Sequence, residues 1–235
     1  MTDFETSQPT TIEEERLAAI AQVAAGLSHE CRGALQRIGA SAEMLEVELE
    51  GNPPALKHVA RIQQSQMQLH RLLEDVQSYA VLGTLDRSPV RISEAWRQAW
   101  QSLLSQRRSR KAELREHIST TDLAIDGDLF RLVQVFRNVL ENSLAAASDP
   151  VRIEVSCEDA TSAGGPVLRI IVRDNGPGFS NEQRDRIFEP FYTTKPTGTG
   201  LGMAIAQRII EAHGGAISVG NYRSAGAEVI INLPR

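Results

Sequence analysis

From Leu17 the apolar and small positions run Leu17, Ile20, Ala24, Leu27, Cys31, Ala34, Ile38, Ser41 and Leu45, alternating by three and four residues. A helix packed lengthwise against other helices carries such a seam, here for about four heptads. Gly51-Asn52-Pro53-Pro54 stops it, since proline cannot continue a helix and glycine suits the C-terminal cap. A second periodic stretch follows through Ile62, Leu69, Leu73, Val76 and Ala80, interrupted at the seam by Gln66. The spacing predicts an antiparallel hairpin of two long helices over residues 13–82, after a disordered tail at 1–12. Each helix covers only part of its neighbour's stripe, so two hairpins are expected to pair into a dimeric four-helix bundle. The alternative is that the stripe packs on the rest of its own chain.

Gly83 to Pro89 has a glycine, a proline and no periodicity, and residues 83–90 read as a linker. Beyond it the pattern predicts helices at Ser93–Gln106, Asp128–Ala147 and Leu201–Ala212. Strands are expected at Glu113–Ile118, Val151–Cys157, Val167–Arg173, Ala216–Val219 and Ala227–Leu233. The fold class is therefore α+β, a helical hairpin followed by a two-layer α/β sandwich over residues 91–235.

Composition narrows the function. The 235 residues are 41% hydrophobic and 23% charged, ordinary globular values, and aromatics are only 5%, so the core is expected to be aliphatic. Residues 1–87 carry 7 Lys/Arg against 13 Asp/Glu, and residues 88–235 carry 18 against 17. Neither part has the concentrated basic face of a nucleic-acid binder. The run Arg107-Arg108-Ser109-Arg110-Lys111 reads as a solvated helix end. No apolar run approaches the roughly 18 residues of a membrane span, and the N-terminus is acidic, unlike a signal peptide. No membrane insertion and a cytoplasmic location are expected. Cys31 and Cys157 have neither metal-ligand nor disulfide spacing.

Chemistry-bearing residues cluster in blocks. His29 falls about 175° from the helical seam and points away from it, with Glu30 beside it to accept a proton. Asn138 and Asn142, one turn apart inside an amphipathic helix, point to a phosphate or metal contact, with Glu141 alongside. Asp174-Asn175-Gly176-Pro177-Gly178 puts a carboxylate at a strand end, followed by glycines that let backbone approach a ligand. Gly198-Thr199-Gly200-Leu201-Gly202 opens a helix, where unpaired amides favour an anion. Between these two loops lie three of the six phenylalanines, Phe179, Phe188 and Phe191, anchoring a loop or a mobile lid whose Lys195 reaches a phosphate.

In this order the blocks resemble the ATP-binding domain of sensor histidine kinases, part of a superfamily with gyrase, the mismatch-repair ATPases and the large heat-shock chaperones. Phe136-Arg137-Asn138-Val139-Leu140-Glu141-Asn142 resembles the N box, Asp174–Gly178 the G1 box, Phe188–Phe191 the F box and Gly198–Gly202 the G2 box. Ser28-His29-Glu30-Cys31-Arg32 resembles the H box, which carries the phosphoaccepting histidine. The resemblance covers residues 15–235 and implies ATP and Mg²⁺ as cofactors. It makes His29 the phosphorylation site and Glu30 its general base. Asn142 is implied as the Mg²⁺ ligand, Asn138 as a contact to phosphate or the ion's water, and Asp174 as acceptor from the adenine amine. Gly176, Gly178 and Thr199 join the nucleotide site, and Gly198, Gly200, Leu201 and Gly202 are implied to donate amides to phosphates. The implied partners are a second copy through residues 13–82, an aspartate-bearing response regulator and, since only about 12 residues precede the first helix, a separate sensor protein or a longer chain.

Four positions depart from the family pattern. Gly33 replaces the usual Thr or Asn, which implies weak or absent phosphatase activity, and Ala34 replaces a proline that kinks the helix. Ala145 replaces a basic phosphate contact, a charge Lys195 can supply, and Glu228 stands where a Thr often lines the adenine pocket. Two other functions compete with the kinase: a gyrase-type ATPase in which Glu141 activates water, and a degenerate scaffold that binds nucleotide without turnover.

Overall fold

The computed structural model describes residues 30–162, 164–195, 198–220 and 226–235. His29, the tail at 1–12 and the hairpin residues before Glu30 lie outside the described residues. The chain divides into two units, Met1–Val81 and Leu82–Arg235.

In the first unit residues 30–48 are helical (α1) and Pro53–Ala80 form α2. The prolines that stop one helix open the next: their missing N–H groups fall in the first turn, and the Asn52 side chain accepts from Ala55 N at 3.3 Å. The buried stripe differs from the expected seam. Leu35, Ala42 and Val59 are buried, whereas Ile38 and Leu45 are 45% and 39% exposed. On this side α2 contributes three glutamines that bond to α1. Gln66 Nε2 donates to Leu35 O at 3.2 Å and lies over Gly39, where a Cβ would meet it at 3.5 Å, an ordinary contact. Arg32 donates to Gln77 Oε1 at 2.9 Å, and Gln63 to Glu46 Oε2 at 3.0 Å. Ile62 and Leu69 stay exposed.

The second unit runs β1 (Ser88–Arg91), α3 (Ile92–Ser102), α4 (Leu104–Arg107), β2 (Ala112–Ile118), β3 (Ala124–Gly127), α5 (Leu129–Ala146), β4 (Val151–Ser162), β5 (Gly165–Asp174), α6 (Asn181–Arg186), α7 (Gly202–Ala212), β6 (Ala216–Val219) and β7 (Glu228–Pro234). Five strands form one sheet in the order β2-β4-β5-β7-β6, with β2 and β4 parallel and the other neighbours antiparallel. Strand residues alternate in burial, so Ile153, Val155, Cys157, Ile170, Val172, Val229 and Ile231 form one apolar face. On the helical side α5 packs against both α3 and α7. It is buried through Leu132, Val135, Phe136, Val139, Leu140, Ser143 and Leu144, a spacing of three and four. The core is aliphatic apart from Trp96 and Phe136, whose rings meet edge to face at 5.7 Å.

Three short elements were not expected from the pattern. β1 and β3 pair antiparallel as a separate two-stranded sheet, so Ser88 to Val90 form a strand where a linker was expected. Four residues are too few to establish an alternation, and Pro89 is tolerated because a two-stranded sheet has a free edge on each strand. The segment before β1 is also held: Asp128 Oδ2 accepts from Asp86 N at 3.1 Å, Arg131 donates to Leu82 O at 2.9 Å, and Arg87 donates to Ala212 O at 2.6 Å. The third element, α6, has a capping box in which Ser180 and Gln183 bond each other's backbone amides. The basic run likewise has an anchored member: Arg110 bonds the Leu144 and Ala147 carbonyls at the end of α5 and Asp149 Oδ1.

His213 ties the end of α7 to the start of α5. Its Nε2 accepts from Asp128 N at 3.0 Å and its Nδ1 faces Ile209 O at 2.7 Å, so the neutral ring with the proton on Nδ1 satisfies both. Burial pushes its pKa below the ordinary value of 6.5. Below pH 6.5 the unfolded chain therefore binds a proton that the folded one resists. The contribution is whole above pH 6.5 and is lost as pH falls through the folded pKa. Urea midpoints are expected to drop between pH 7.5 and 5.5, and His213→Gln to remove part of that slope; equal slopes in both proteins would contradict this.

Candidate functional site

The sequence blocks converge at one end of α5. Asn138 and Asn142 lie half-buried on its flank, beside the buried stripe rather than in it. Asn138 Nδ2 donates to Gly202 O at 2.8 Å, which joins the helix to the first residue of α7. A Cβ on Gly202 would meet the Asn138 side chain at 3.5 Å, an ordinary contact. The loop before α7 partly satisfies itself: Gly198 N donates to Lys195 O at 3.2 Å and Leu201 N to Thr199 Oγ1 at 3.3 Å. Leu201 is buried and Gly200 has φ +70, with its Cα so close to the Phe191 backbone that no side chain fits.

Asp174 ends β5 in a buried position. Its Oδ1 accepts from Gly176 N at 2.8 Å and from Ala227 N at 3.1 Å, while its own N–H donates to Ala227 O at 3.0 Å. The carboxylate is thus held between the turn after β5 and the start of β7. A Cβ on Gly176 would meet Asp174 Oδ1 at 2.9 Å and the end of α5 at Ala146, and one on Gly178, φ +80, would meet Gly226 O at 2.9 Å. These glycines let three backbone segments close around one carboxylate. Asn175 braces the same turn, accepting from Arg152 N at 2.8 Å and donating to Pro150 O at 2.9 Å.

The segment between the glycine loops is only partly anchored. Phe179 and Phe188 are half-buried, and Phe191, at φ 66, is 63% exposed. Arg186 holds the segment from the surface by stacking on Tyr192 at 4.3 Å and bonding Glu182 and Glu189. Lys195 crosses to the helix: its Nζ donates to Asn142 Oδ1 at 2.6 Å. Burial lowers the Lys195 pKa from the ordinary lysine value, and the nearby Glu141 carboxylate opposes that shift. Glu141 Oε1 in turn accepts from Gln106 Nε2 at 2.6 Å.

Asn138, Asn142, Asp174, Gly176, Gly178, Lys195, Gly198, Thr199, Gly200, Leu201 and Gly202 are therefore connected through hydrogen bonds and close backbone approaches. Glu30 is exposed at the start of the described part of α1. Glu228 belongs elsewhere. It is the register partner of Arg173, whose guanidinium it bonds, and strand alternation sets both on the opposite sheet face from Asp174. Ala227 is the β7-side residue that touches Asp174. Sequence reasoning missed Gln106, Asn175 and Ala227, whose roles come from distant backbone partners. The donor set fits a nucleotide-borne Mg²⁺. Asn142 offers one hard amide oxygen, suited to an ion that keeps phosphate and water ligands, and no cluster of three His, Cys, Asp or Glu exists among the described residues.

Comparison with known proteins agrees with this geometry. Residues 127–235 match the family described as histidine kinase-, DNA gyrase B-, and HSP90-like ATPase. The C4-dicarboxylate transport sensor protein DctB of Rhizobium meliloti (strain 1021) is 32% identical over 97% of this chain and 37% of its own length. Sensor histidine kinase ZraS of Salmonella typhimurium is 30% identical over 94% of this chain and 47% of its own. The chain thus spans less than half the length of these curated relatives. Among solved structures, full-length ShkA in complex with AMPPNP superposes with a TM-score of 0.74 at 29% identity, covering 91% of this chain and 45% of ShkA. No helix among the described residues is long and apolar enough to cross a membrane. The match of residues 127–235 to the ATPase family and the similarity of nearly the whole chain to DctB and ZraS together support a sensor histidine kinase catalytic core.

Proposed function

We propose that the chain is an ATP-dependent protein-histidine kinase of a two-component system, phosphorylating itself on His29 and passing the phosphoryl group to an aspartate of a response regulator. The observation that carries this reading is the joining of the asparagine helix to the glycine loop by the Asn138–Gly202 and Asn142–Lys195 bonds, with the Asp174 turn set against the end of the same helix, where a Cβ on Gly176 would meet Ala146 at 3.4 Å. Asp174 selects adenine by accepting from its exocyclic amine, while Asn142 holds the Mg²⁺ that neutralises phosphate charge. Backbone amides of the Gly198–Gly202 loop hold the phosphates, and Lys195 meets the γ-phosphate. His29 attacks the γ-phosphorus through one ring nitrogen; the bond from phosphorus to the bridging oxygen breaks to leave ADP, and Glu30 takes the proton from the other nitrogen. Glu141 Oε1 accepts from Gln106 Nε2, and the gyrase-type alternative is separated from the kinase by labelling.

The test is incubation with radiolabelled ATP and Mg²⁺. Label that stays on the chain, is lost in acid and survives base supports the kinase. Steady phosphate release with no labelled chain supports the ATPase instead.

The kinase acts as a homodimer in this reading. Ile38, Leu45, Ile62 and Leu69 stay between 39% and 52% exposed in the single chain, an apolar stripe that a second hairpin covers in a four-helix bundle. Sedimentation is expected to give twice the monomer mass, falling to the monomer in Ile38→Glu/Leu69→Glu; a monomeric wild type would refute the bundle. A cytoplasmic site, with the signal arriving from a separate sensor or a longer chain, completes the proposal.

A further inference from the structure

Lys195 Nζ donates at 2.6 Å to Asn142 Oδ1, the oxygen assigned above to Mg²⁺. The Glu141 carboxylate, one residue away on α5 and fixed by Gln106, favours the ammonium charge there. An amide oxygen with a carboxylate beside it is a cradle for a cation, and the chain supplies the cation itself. Mg²⁺ bonds oxygen at about 2.0–2.1 Å. Ammonium and dication on one carbonyl oxygen would stand within about 4 Å of each other, where unscreened like charges repel strongly. Only one of them can hold Asn142 at a time.

We propose that Lys195 is a built-in counter-cation for Asn142, latching the 187–195 segment to α5 until nucleotide-bound Mg²⁺ displaces it. The displaced ammonium is then free to meet the γ-phosphate of ATP, which ADP lacks. Segment release and metal arrival become one exchange, so the segment responds to the metal–nucleotide complex rather than to nucleotide alone. This inference rests on the assignment of Asn142 to Mg²⁺, but its first arm needs neither metal nor nucleotide.

The experiment is hydrogen exchange on residues 187–195 of the full chain, in wild type and in Lys195→Met, which keeps the length of the side chain and removes its charge. Without nucleotide or metal, the variant is expected to exchange about 10-fold faster across 187–195, with an unchanged melting temperature. Adding Mg²⁺ and ADP is expected to speed exchange in wild type to the variant's level and to leave the variant unchanged. ADP with a chelator should change neither. The dependence of ADP binding on Mg²⁺ gives an opposite-sign check. Removing a competing cation should lower the Mg²⁺ concentration at half-saturation severalfold, whereas removing a mere phosphate ligand would raise it. Equal exchange in the two metal-free proteins overturns the latch, whatever the labelling experiment gives. A latch that persists in saturating Mg²⁺ and ADP overturns the displacement.

Discussion

Replacing His29 with glutamine abolishes acid-labile labelling of the chain by ATP, by more than about 10³-fold, because the nucleophile is lost rather than weakened. Nucleotide binding is expected to stay within twofold of wild type, since every residue assigned to the nucleotide lies in the other unit, Leu82–Arg235. Fluorescent-nucleotide titration and gel autoradiography on the same preparation separate the two effects. Retained label in His29→Gln would move the phosphorylation site elsewhere and remove the kinase mechanism given above. Lost nucleotide affinity would mean that the variant acts through folding.

Asp174→Asn is expected to lower ATP affinity about 10²-fold or more while leaving the fold nearly intact. Asn keeps the Oδ1 that accepts from Gly176 N and Ala227 N, so the closed turn survives. Its second terminal atom is an amide donor, which faces the adenine amine donor to donor and leaves both unpaired. Weakening the two charge-assisted bonds costs about 1 kcal/mol, a fall of roughly 2–4 °C in melting temperature for a chain of this size. Calorimetric titration with ATP and a melting curve read the two quantities. Unchanged affinity would take Asp174 out of base recognition, and a collapsed melting transition would recast it as a structural residue.

The two units were unequally legible in the sequence. α5 and α7 were readable because each buries one stripe at helical spacing, and the strands of the five-stranded sheet because one face alone is buried. The same local rules failed at β1 and β3, where four residues hold too little pattern and pairing is set by a partner more than 30 residues away. In the hairpin the helical period was readable but the contact partners were not. An amphipathic helix specifies that a stripe will be buried but not by which neighbour, and within the single chain α2 covers Leu35 and Ala42 while Ile38 and Leu45 stay exposed.

At the site, the residue types were set locally. Two asparagines one turn apart, a carboxylate at a strand end and a glycine-rich helix start each state their chemistry within a few residues. Their meeting is a property of the tertiary structure. Asp174 reaches Ala227 and Asn142 reaches Lys195 only because β5 pairs with β7 and the loop before α7 folds back on α5. The same long-range geometry removed Glu228 from the pocket, since alternation along β7 sends it to the face opposite Asp174. The sequence by itself determined which groups are available, because side-chain chemistry and helical or strand period are local. The tertiary structure decided which groups share a site and which oxygen each cation meets, because those depend on strand register and helix packing across tens of residues.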